Sequence, residues 1–303
     1  GTVAVAASIL VGMALPSWSA YARPWLTEAV FVLLVLAFLR VDTDAVRTRF
    51  KRPALFVAAS GWMLLALPIL AVLLFKLFGL TELGPEVMLA VFIVTAGPSV
   101  MSAPAFIYLM GLDGALSLSL LVASAVITPF TVPFVGALIL DGAMPIDAID
   151  LGLSLLLILG GAFVVARAIR WLMGSGRVQL YTSQIDGLNV LVLFFFAVAA
   201  MDNVAATFSA RPLFTVAIAG LTFVVAFAQI GLTLLAFSPV SRADAFVIAH
   251  SAGNRNMGLM VAALGGTVPE FTWLWFALGQ LPIYTLPLIL KPVAGRFSSS
   301  GST

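Results

Sequence analysis

Long apolar runs separated by short polar turns make up nearly the whole chain, and they restrict it to one class of fold. The runs lie near residues 2–15, 25–39, 54–78, 87–110, 115–140, 151–172, 188–206, 212–237, 245–266 and 271–290. Most approach the roughly 20 residues that a helix needs to cross a bilayer. Charged residues make up 9% of the chain, against about 25% in soluble domains, which leaves no room for a soluble domain. We therefore predict an all-α integral membrane protein with about ten transmembrane helices.

Lysine and arginine cluster in alternate turns between these runs. If the N-terminus is cytoplasmic, the cytoplasmic turns contain Arg40, Arg47, Arg49, Lys51, Arg52, Arg167, Arg170, Arg177, Arg242, Lys291 and Arg296. The outer turns contain Arg23 and Arg211 together with the acidic residues Glu82, Glu86, Asp141, Asp147, Asp150, Asp202 and Glu270. This asymmetry follows the positive-inside rule. It predicts ten spans with both termini in the cytoplasm, in a multi-pass protein of the bacterial inner membrane.

The remaining composition excludes several kinds of function. The formal net charge of +2 is too small to indicate a nucleic-acid partner, and the lack of cysteine excludes disulfides and thiolate metal sites. No zinc-binding, nucleophile-elbow or phosphate-loop motif is present, so we predict neither an enzyme nor a cofactor. Residues 1–15 lack a basic n-region and are predicted to form a first span with a trimmed leader, not a signal peptide.

Two of the runs are interrupted at their centres by residues that a continuous transmembrane helix rarely contains. The fourth run contains AGPSVMSAP at residues 96–104, and its two prolines each remove a backbone donor and clash with the preceding turn. The ninth contains GNRN at residues 253–256, whose arginine costs about 2.5–3.5 kcal/mol at the bilayer centre on insertion scales. Both runs are therefore predicted to be broken helices around a polar cavity.

The spacing of the two interruptions predicts internal symmetry. They lie about 150 residues apart, in the fourth and ninth of ten spans. Two halves of five spans have opposite orientations because five is odd, so we predict two inverted repeats, residues 1–145 and 146–303, whose fourth and ninth helices cross. Broken segments at corresponding positions of inverted halves indicate a transporter binding site near the membrane centre.

The polar residues and backbone of the two interruptions form the predicted substrate site. This set consists of Ser99, Ser102, Ala103, Pro104, Ser251, Asn254, Arg255 and Asn256. A guanidinium binds a carboxylate or phosphate through two parallel N–H groups, and the N-termini of half-helices also favour anions. The predicted ligand is therefore a small organic anion.

Several short motifs follow one another along the chain. They are a basic turn at residues 40–53 that ends in Arg-Pro, a Leu67-Pro68 kink, GPSVMSAP at 97–104, GLDGALS at 111–117, SAVITP at 124–129, TVP at 131–133 and GNRNMGL at 253–259. Their order and spacing resemble the bile acid:sodium symporter superfamily, which also includes related arsenite permeases. The resemblance covers nearly the whole chain. It implies a core bundle, in which the fourth and ninth helices cross at unwound centres, and a smaller panel bundle that moves relative to it.

The sequence departs from sodium-coupled members of this superfamily where those members bind sodium. The superfamily's glutamine, Ser-Asn pair, glutamate and second glutamine fall at or near Met63, Ala103, Pro104, Ser251 and Arg255. A fixed guanidinium within about 4–6 Å of a sodium ion repels it by several kcal/mol at an effective dielectric near 20. The resemblance therefore implies a transporter whose sodium sites are altered or lost, and no metal site is predicted.

Each predicted binding residue also has a structural alternative. Arg255 either binds the anion or donates hydrogen bonds to the free carbonyls of the two helix ends, in place of the lost cations. Asn254 and Asn256 either contact the ligand or fill unwound backbone.

Coupling to an ion or proton gradient is predicted to involve four further residues, Ser124, Thr128, Thr131 and His250. The three hydroxyls either bind an ion or hydrogen-bond within their own helix. His250 either relays a proton, since histidine titrates near neutral pH, or is hydrogen-bonded within its helix. Proton coupling, sodium coupling and the absence of coupling therefore remain open.

These features favour a secondary active transporter that moves a small organic anion by alternating access. The alternatives are a sodium-coupled organic-anion symporter of the usual family type, or a non-transporting receptor or intramembrane enzyme on the same scaffold. An enzyme is disfavoured because its one candidate pair, His250 and Ser251, occupies adjacent helix positions that point about 100° apart. Bile acids, pantoate-like acids and other carboxylates are all compatible substrates. The predicted partners are this anion and the lipid bilayer, for a monomer or weak dimer.

Overall fold

A computed structural model of the chain describes residues 2–40, 53–140, 146–265 and 268–298, and every regular element in these ranges is a helix. The helices are α1 Thr2–Ala14, α2 Pro16–Ala22, α3 Leu26–Arg40, α4 Pro53–Gly61, α5 Leu67–Leu77, α6 Pro85–Ala96, α7 Ala103–Leu109, α8 Gly114–Ile139, α9 Ala148–Met173, α10 Ser175–Leu180, α11 Thr182–Ala200, α12 Val204–Ala210, α13 Pro212–Ala236, α14 Arg242–Gly253, α15 Met257–Ala263, α16 Glu270–Leu278 and α17 Gln280–Ser298. The all-α prediction is confirmed for these residues.

Within the described residues, seven helical segments are long and apolar enough to cross a membrane. They are Pro16–Arg40, Pro53–Leu77, Gly114–Ile139, Ala148–Met173, Thr182–Ala210, Pro212–Ala236 and Glu270–Gly295. The chain is therefore a multi-pass integral membrane protein. The other three predicted spans are short or divided: α1 has 13 residues, the fourth span is split into α6 and α7, and the ninth into α14 and α15. The ten-span inverted repeat stays a prediction.

The fourth predicted span breaks where its Gly-Pro pair lies. Pro98 disfavours a helical conformation for the residue before it, and Gly97 accordingly has φ −58° and ψ 156°. The helix resumes at α7, where Pro104 lies in the first turn and its missing N–H would have no helical partner in any case.

The ninth predicted span breaks at its Gly-Asn-Arg-Asn sequence. α14 ends at Gly253, and Asn254 is extended, with φ −119° and ψ 92°. A Cβ at Gly253 would lie 2.4 Å from Cγ1 of Ile230, so only glycine allows α13 to pack this closely. Asn256 then begins α15, because its Oδ1 accepts a hydrogen bond from the N–H of Leu259 at 3.0 Å.

The third predicted span contains a π-helical turn at Trp62–Ala66, directly before the Leu67-Pro68 pair. The N–H of Leu67 donates to the carbonyl of Trp62, five residues earlier. The corresponding donor for the carbonyl of Met63 would be Pro68, which has no N–H. The carbonyl of Met63 is therefore left without a partner in its own helix.

The helices pack in two groups. In the first group, α11 packs against α1, α2 and α3, and α3 also packs against α9. The second group contains the broken helices: α5 and α16 pack on α6, α8 packs on α7 and α14, and α13 packs on α14. The two groups meet where α8 packs on α9 and α15 packs on α3.

Some sequence predictions concern residues that the structure does not describe. The basic turn with Arg47, Arg49, Lys51 and Arg52 lies outside the described residues, as does Asp141. The predicted boundary between the repeats, at residues 145 and 146, lies at the edge of the undescribed residues 141–145.

Candidate functional site

The two interrupted segments meet and hydrogen-bond to each other at a crossover. The N–H of Val100 donates to the carbonyl of Asn254 at 2.9 Å, and the N–H of Asn256 donates to the carbonyl of Pro98 at 2.8 Å. Ser99 and Arg255 thereby form an isolated antiparallel bridge. Because unpaired backbone groups cost several kcal/mol in hydrocarbon, this mutual pairing allows two helices to unwind inside the membrane.

The guanidinium of Arg255 donates to three backbone carbonyls around the crossover. Its Nε donates to Ala252 at 2.7 Å, its Nη1 to Gly97 at 3.1 Å and its Nη2 to Met63 at 2.9 Å. The residue is only 1% exposed. One buried cation therefore binds parts of three predicted spans together.

Each of these carbonyls comes from a place where a helix is irregular. Ala252 lies in the last turn of α14, and Gly97 directly follows α6, so neither carbonyl has the usual donor four residues later. The carbonyl of Met63 lacks its donor because of Pro68. Arg255 thus satisfies acceptors that the prolines and glycines leave free.

A cavity of about 300 Å³ lies beside the crossover, between α3, α11, α17 and the start of α15. Arg40 lines it with a side chain that is 37% exposed, so the cavity reaches the surface at that end of the molecule. None of the described residues that line it is acidic. Because the guanidinium of Arg40 pairs with the carboxylate of Asp186, the lining cation that has no carboxylate partner among the described residues is Arg255, and its charge suits an anion.

Four of the eight predicted substrate residues line this cavity: Ser102, Pro104, Arg255 and Asn256. A guanidinium has five N–H donors, and three of those on Arg255 are used by carbonyls, so two remain without a partner among the described residues. The Oγ of Ser102 also has no hydrogen-bond partner within the described part of the chain. These free donors are the groups that could bind an anion.

The other four predicted substrate residues are fully buried and do not line the cavity. They are Ser99, Ala103, Ser251 and Asn254. The Oγ atoms of Ser251 and Ser117 lie 3.4 Å apart, and the amide of Asn254 donates to the carbonyl of His250 at 3.0 Å. In this conformation these four residues lie at the crossover and do not face the cavity.

The three hydroxyls predicted to couple transport to an ion form hydrogen bonds within α8. Thr128 donates to the carbonyl of Ser124 at 2.7 Å, and Thr131 donates to Ile127 at 3.3 Å. The Oγ of Ser124 donates to Leu121 at 3.0 Å and accepts the N–H of Ser99 at 3.2 Å, which ties α8 to the crossover. Their role in coupling stays a prediction.

His250, the predicted proton relay, is buried on α14 outside the cavity lining. Neither ring nitrogen has a hydrogen-bond partner among the described residues. Its ring lies edge-on to that of Phe106, with centroids 6.4 Å apart. A proton would therefore need a rearrangement of the helices to reach it.

Sequence reasoning missed several polar residues that line the cavity, namely Arg40, Asn189, Gln280 and Tyr284. Gln280 and Tyr284 lie one turn apart on α17, so they share a face of the last predicted span. That pair of polar side chains at helical spacing was the available signal. Asn189 carries no such pattern, because it is a lone amide near the start of an apolar run.

At the end of the molecule opposite Arg40, a cluster of side chains lies around Arg23. Its guanidinium pairs with the carboxylate of Asp202 at 2.8 Å and lies 4.1 Å from the centroid of the Trp273 ring. The indole N–H of Trp273 donates to the carbonyl of Asp202 at 3.2 Å. We call these three residues the Arg23 cluster. They connect the turn before α3, the turn after α11, and α16.

Comparison with known proteins gives one match. A family model described as the Sodium Bile acid symporter family matches residues 27–165. The matched region runs from α3 into α9 and includes the first interruption but not the second. No significant match to a curated protein was found. The match supports the resemblance that the motifs indicate.

We expect Arg255→Gln to lower the thermal unfolding midpoint strongly in detergent. Glutamine cannot reach three carbonyls, and each buried acceptor left unpaired costs about 1–3 kcal/mol. The unfolding midpoint of Arg255→Lys should lie between those of Arg255→Gln and the wild type, because an ammonium keeps the charge but lacks the planar set of donors. The measurement is thermal unfolding followed by tryptophan fluorescence.

The control for this experiment is Arg177→Gln, which removes an exposed arginine on α10 and should leave the midpoint unchanged. If Arg255→Gln and Arg177→Gln unfold at the same temperature as the wild type, the three carbonyl contacts do not stabilise the fold.

Proposed function

We propose that the chain is a secondary active transporter of a small organic anion, related to the sodium bile acid symporter family, whose model matches residues 27–165. The match supports a sodium-dependent transporter of the bile acid symporter kind and fits a protein that is not an enzyme. Our proposal is narrower than the family assignment. The observation that carries it is the cavity at the crossover, where the guanidinium of Arg255 lies among described lining residues of which none is acidic.

The size and chemistry of the cavity favour a small carboxylate. Its volume of about 300 Å³ lies at the lower end of the roughly 300–1,000 Å³ that ligand sites occupy. A pantoate-like acid suits this volume better than a steroid-sized bile acid. The free N–H groups of Arg255 and the hydroxyl of Ser102 would bind the carboxylate, and the amides of Asn189 and Gln280 supply further polar contacts.

We further propose that Arg255 replaces a coupling cation. Helix-end carbonyls are ligands that a sodium ion would use, and here three of them accept hydrogen bonds from a covalently fixed cation. Ser124 and Thr128, the remaining candidate sodium ligands, are engaged within α8. The transporter would therefore work without sodium. Under this proposal, coupling to protons through His250 and the absence of coupling are the two alternatives.

Alternating access would use the two ends of the molecule. The cavity reaches the surface at Arg40, and the Arg23 cluster would close the opposite end. A partly exposed ion pair contributes about 0–1 kcal/mol, and a cation–π contact at an exposed site about 0.5–1 kcal/mol. Such a weak closure is easily reversed, as a transporter requires. By the distribution of basic residues, the Arg40 end would be the cytoplasmic one.

A sodium-coupled symporter of the usual family type is the second candidate, because the family match favours it. Flux across a bilayer separates both transporters from a receptor on the same scaffold.

A matched pair of serine variants tests the position of the anion site. The Oγ atoms of Ser99 and Ser102 both lack partners among the described residues, but only Ser102 lines the cavity. We expect Ser102→Ala to weaken pantoate binding by roughly 2- to 13-fold, equivalent to a hydrogen bond of about 0.5–1.5 kcal/mol. Ser99→Ala should bind pantoate like the wild type.

Isothermal titration calorimetry of the purified protein measures this difference, with taurocholate as the larger comparison anion. If the wild type, Ser102→Ala and Ser99→Ala bind pantoate with equal affinity, or if Ser99→Ala loses more affinity than Ser102→Ala, the anion binds outside this cavity.

Cysteine labelling tests the closure of the Arg23 end. The chain contains no cysteine, so Ser102→Cys provides a single reactive thiol at the cavity. A membrane-impermeant maleimide should label it from the Arg40 side. Adding Asp202→Asn should raise labelling from the opposite side by up to about five-fold, since the lost ion pair is worth up to about 1 kcal/mol.

Glu82→Gln is the control for this variant, because Glu82 is exposed and lies at the predicted outer surface without being part of the Arg23 cluster. The proposed closure is wrong if the wild-type background is labelled mainly from the Asp202 side, or if Asp202→Asn and Glu82→Gln behave alike.

A further inference from the structure

A second cavity of about 750 Å³ lies away from the crossover, between α3, α8 and α9. Its walls are almost entirely apolar. Val126, Phe130 and Phe163 line it and are 65%, 68% and 57% exposed, respectively. Because α8 and α9 are both membrane-spanning segments, an exposed apolar surface here faces lipid. We call this cavity the α8–α9 groove.

One wall of the groove lacks a side chain at Gly160. A Cβ at Gly160 would meet no atom within 4 Å, so this glycine opens space along α9. The edge-to-face pair of Phe38 and Phe163, with ring centroids 5.9 Å apart, lies beside it. A rigid aromatic surface next to an open glycine forms a slot into which a hydrocarbon chain fits.

One end of the groove is basic. Arg167 and Arg170 both line it, three residues apart and therefore on the same face of α9. The guanidinium of Arg170 donates to the carbonyl of Leu39 at the end of α3, which closes this end of the groove. Arg167 is exposed and lies one helical turn before Arg170 on α9, nearer the middle of the groove. Two positive charges thus lie where the apolar walls stop.

The length of the groove matches one leaflet of a bilayer. The 11 residue steps from Leu156 to Arg167 along α9 span about 17 Å at about 1.5 Å per residue. Half of a hydrocarbon core of about 30 Å is about 15 Å. A lipid with its headgroup at the arginines would therefore extend its acyl chain to the middle of the membrane.

We propose that the α8–α9 groove binds an anionic phospholipid, with one acyl chain against Gly160 and the phosphate on Arg167 and Arg170. Charge complementarity selects the occupant. A phosphatidylglycerol headgroup has a net negative charge that the exposed guanidinium of Arg167 balances, whereas the ammonium of phosphatidylcholine would lie next to like charges. Basic pockets between transmembrane helices bind anionic headgroups in this way.

Native mass spectrometry of the full chain, with added phosphatidylglycerol or phosphatidylcholine of identical acyl chains, tests this proposal. We expect phosphatidylglycerol to be retained preferentially. Arg167→Gln should reduce its retention about five-fold, since one juxtamembrane arginine contributes about that factor. It should not reduce the retention of phosphatidylcholine. Gly160→Leu should also reduce phosphatidylglycerol retention, because the leucine side chain fills the slot.

Two controls match these variants. Arg177→Gln removes an exposed arginine of α10 that does not line the groove, and Gly220→Leu adds the same bulk at an open glycine on α13. Both should retain phosphatidylglycerol like the wild type.

Equal retention of the two lipids overturns the proposal, as does an equal loss in Arg167→Gln and Arg177→Gln, which would reflect diffuse surface charge. Full retention of phosphatidylglycerol by Gly160→Leu would place the lipid outside the groove. Arg167→Gln changes an exposed side chain, so it tests the charge even if Gly160→Leu does not fold.

Discussion

The structure depends on a single buried cation that satisfies three backbone acceptors. Prolines at positions 68 and 98 and the Gly-Asn sequence after residue 252 interrupt three helices inside the membrane, and each interruption leaves a carbonyl without a donor. In hydrocarbon such groups need partners from the protein. Arg255 supplies all three, and the paired backbones of the two broken helices satisfy much of the rest. The guanidinium of Arg255 is costly to bury, and the three carbonyls are costly to leave without a donor. The crossover is stable because each satisfies the other.

The same interaction connects the fold with transport. A guanidinium that uses three of its N–H groups for structure keeps two for a ligand, and it lies at the wall of a cavity that reaches one surface. The positive charge needed at the crossover is then covalent and always present. In a sodium-coupled protein, that charge would arrive and leave with the ion. Fixing it removes the need for the ion but keeps the site suited to an anion, which is the basis of the proposed sodium-independent mechanism.

The sequence was sufficient to predict where the helices break, because proline, glycine and asparagine act locally on the backbone. It was not sufficient to predict the partners of Arg255. One of them, Met63, lies 192 residues away, and its carbonyl is free only because a π-helical turn precedes Pro68. The division of the predicted site into residues that face the cavity, such as Ser102, and residues that lie behind it, such as Ser99, also depends on tertiary packing. The position of Asn189 in the cavity lining also depends on tertiary packing, because no local sequence pattern reveals it.

The central claim is that Arg255 takes the place of a coupling sodium ion, and uptake of radiolabelled pantoate into proteoliposomes tests it most directly. The uptake is measured with an inward sodium gradient, with choline in place of sodium, and with an inward proton gradient. We expect equal uptake with sodium and with choline, since no sodium ion needs to occupy the crossover. Uptake that requires sodium, or no uptake under any of the three conditions while pantoate still binds, would contradict the account.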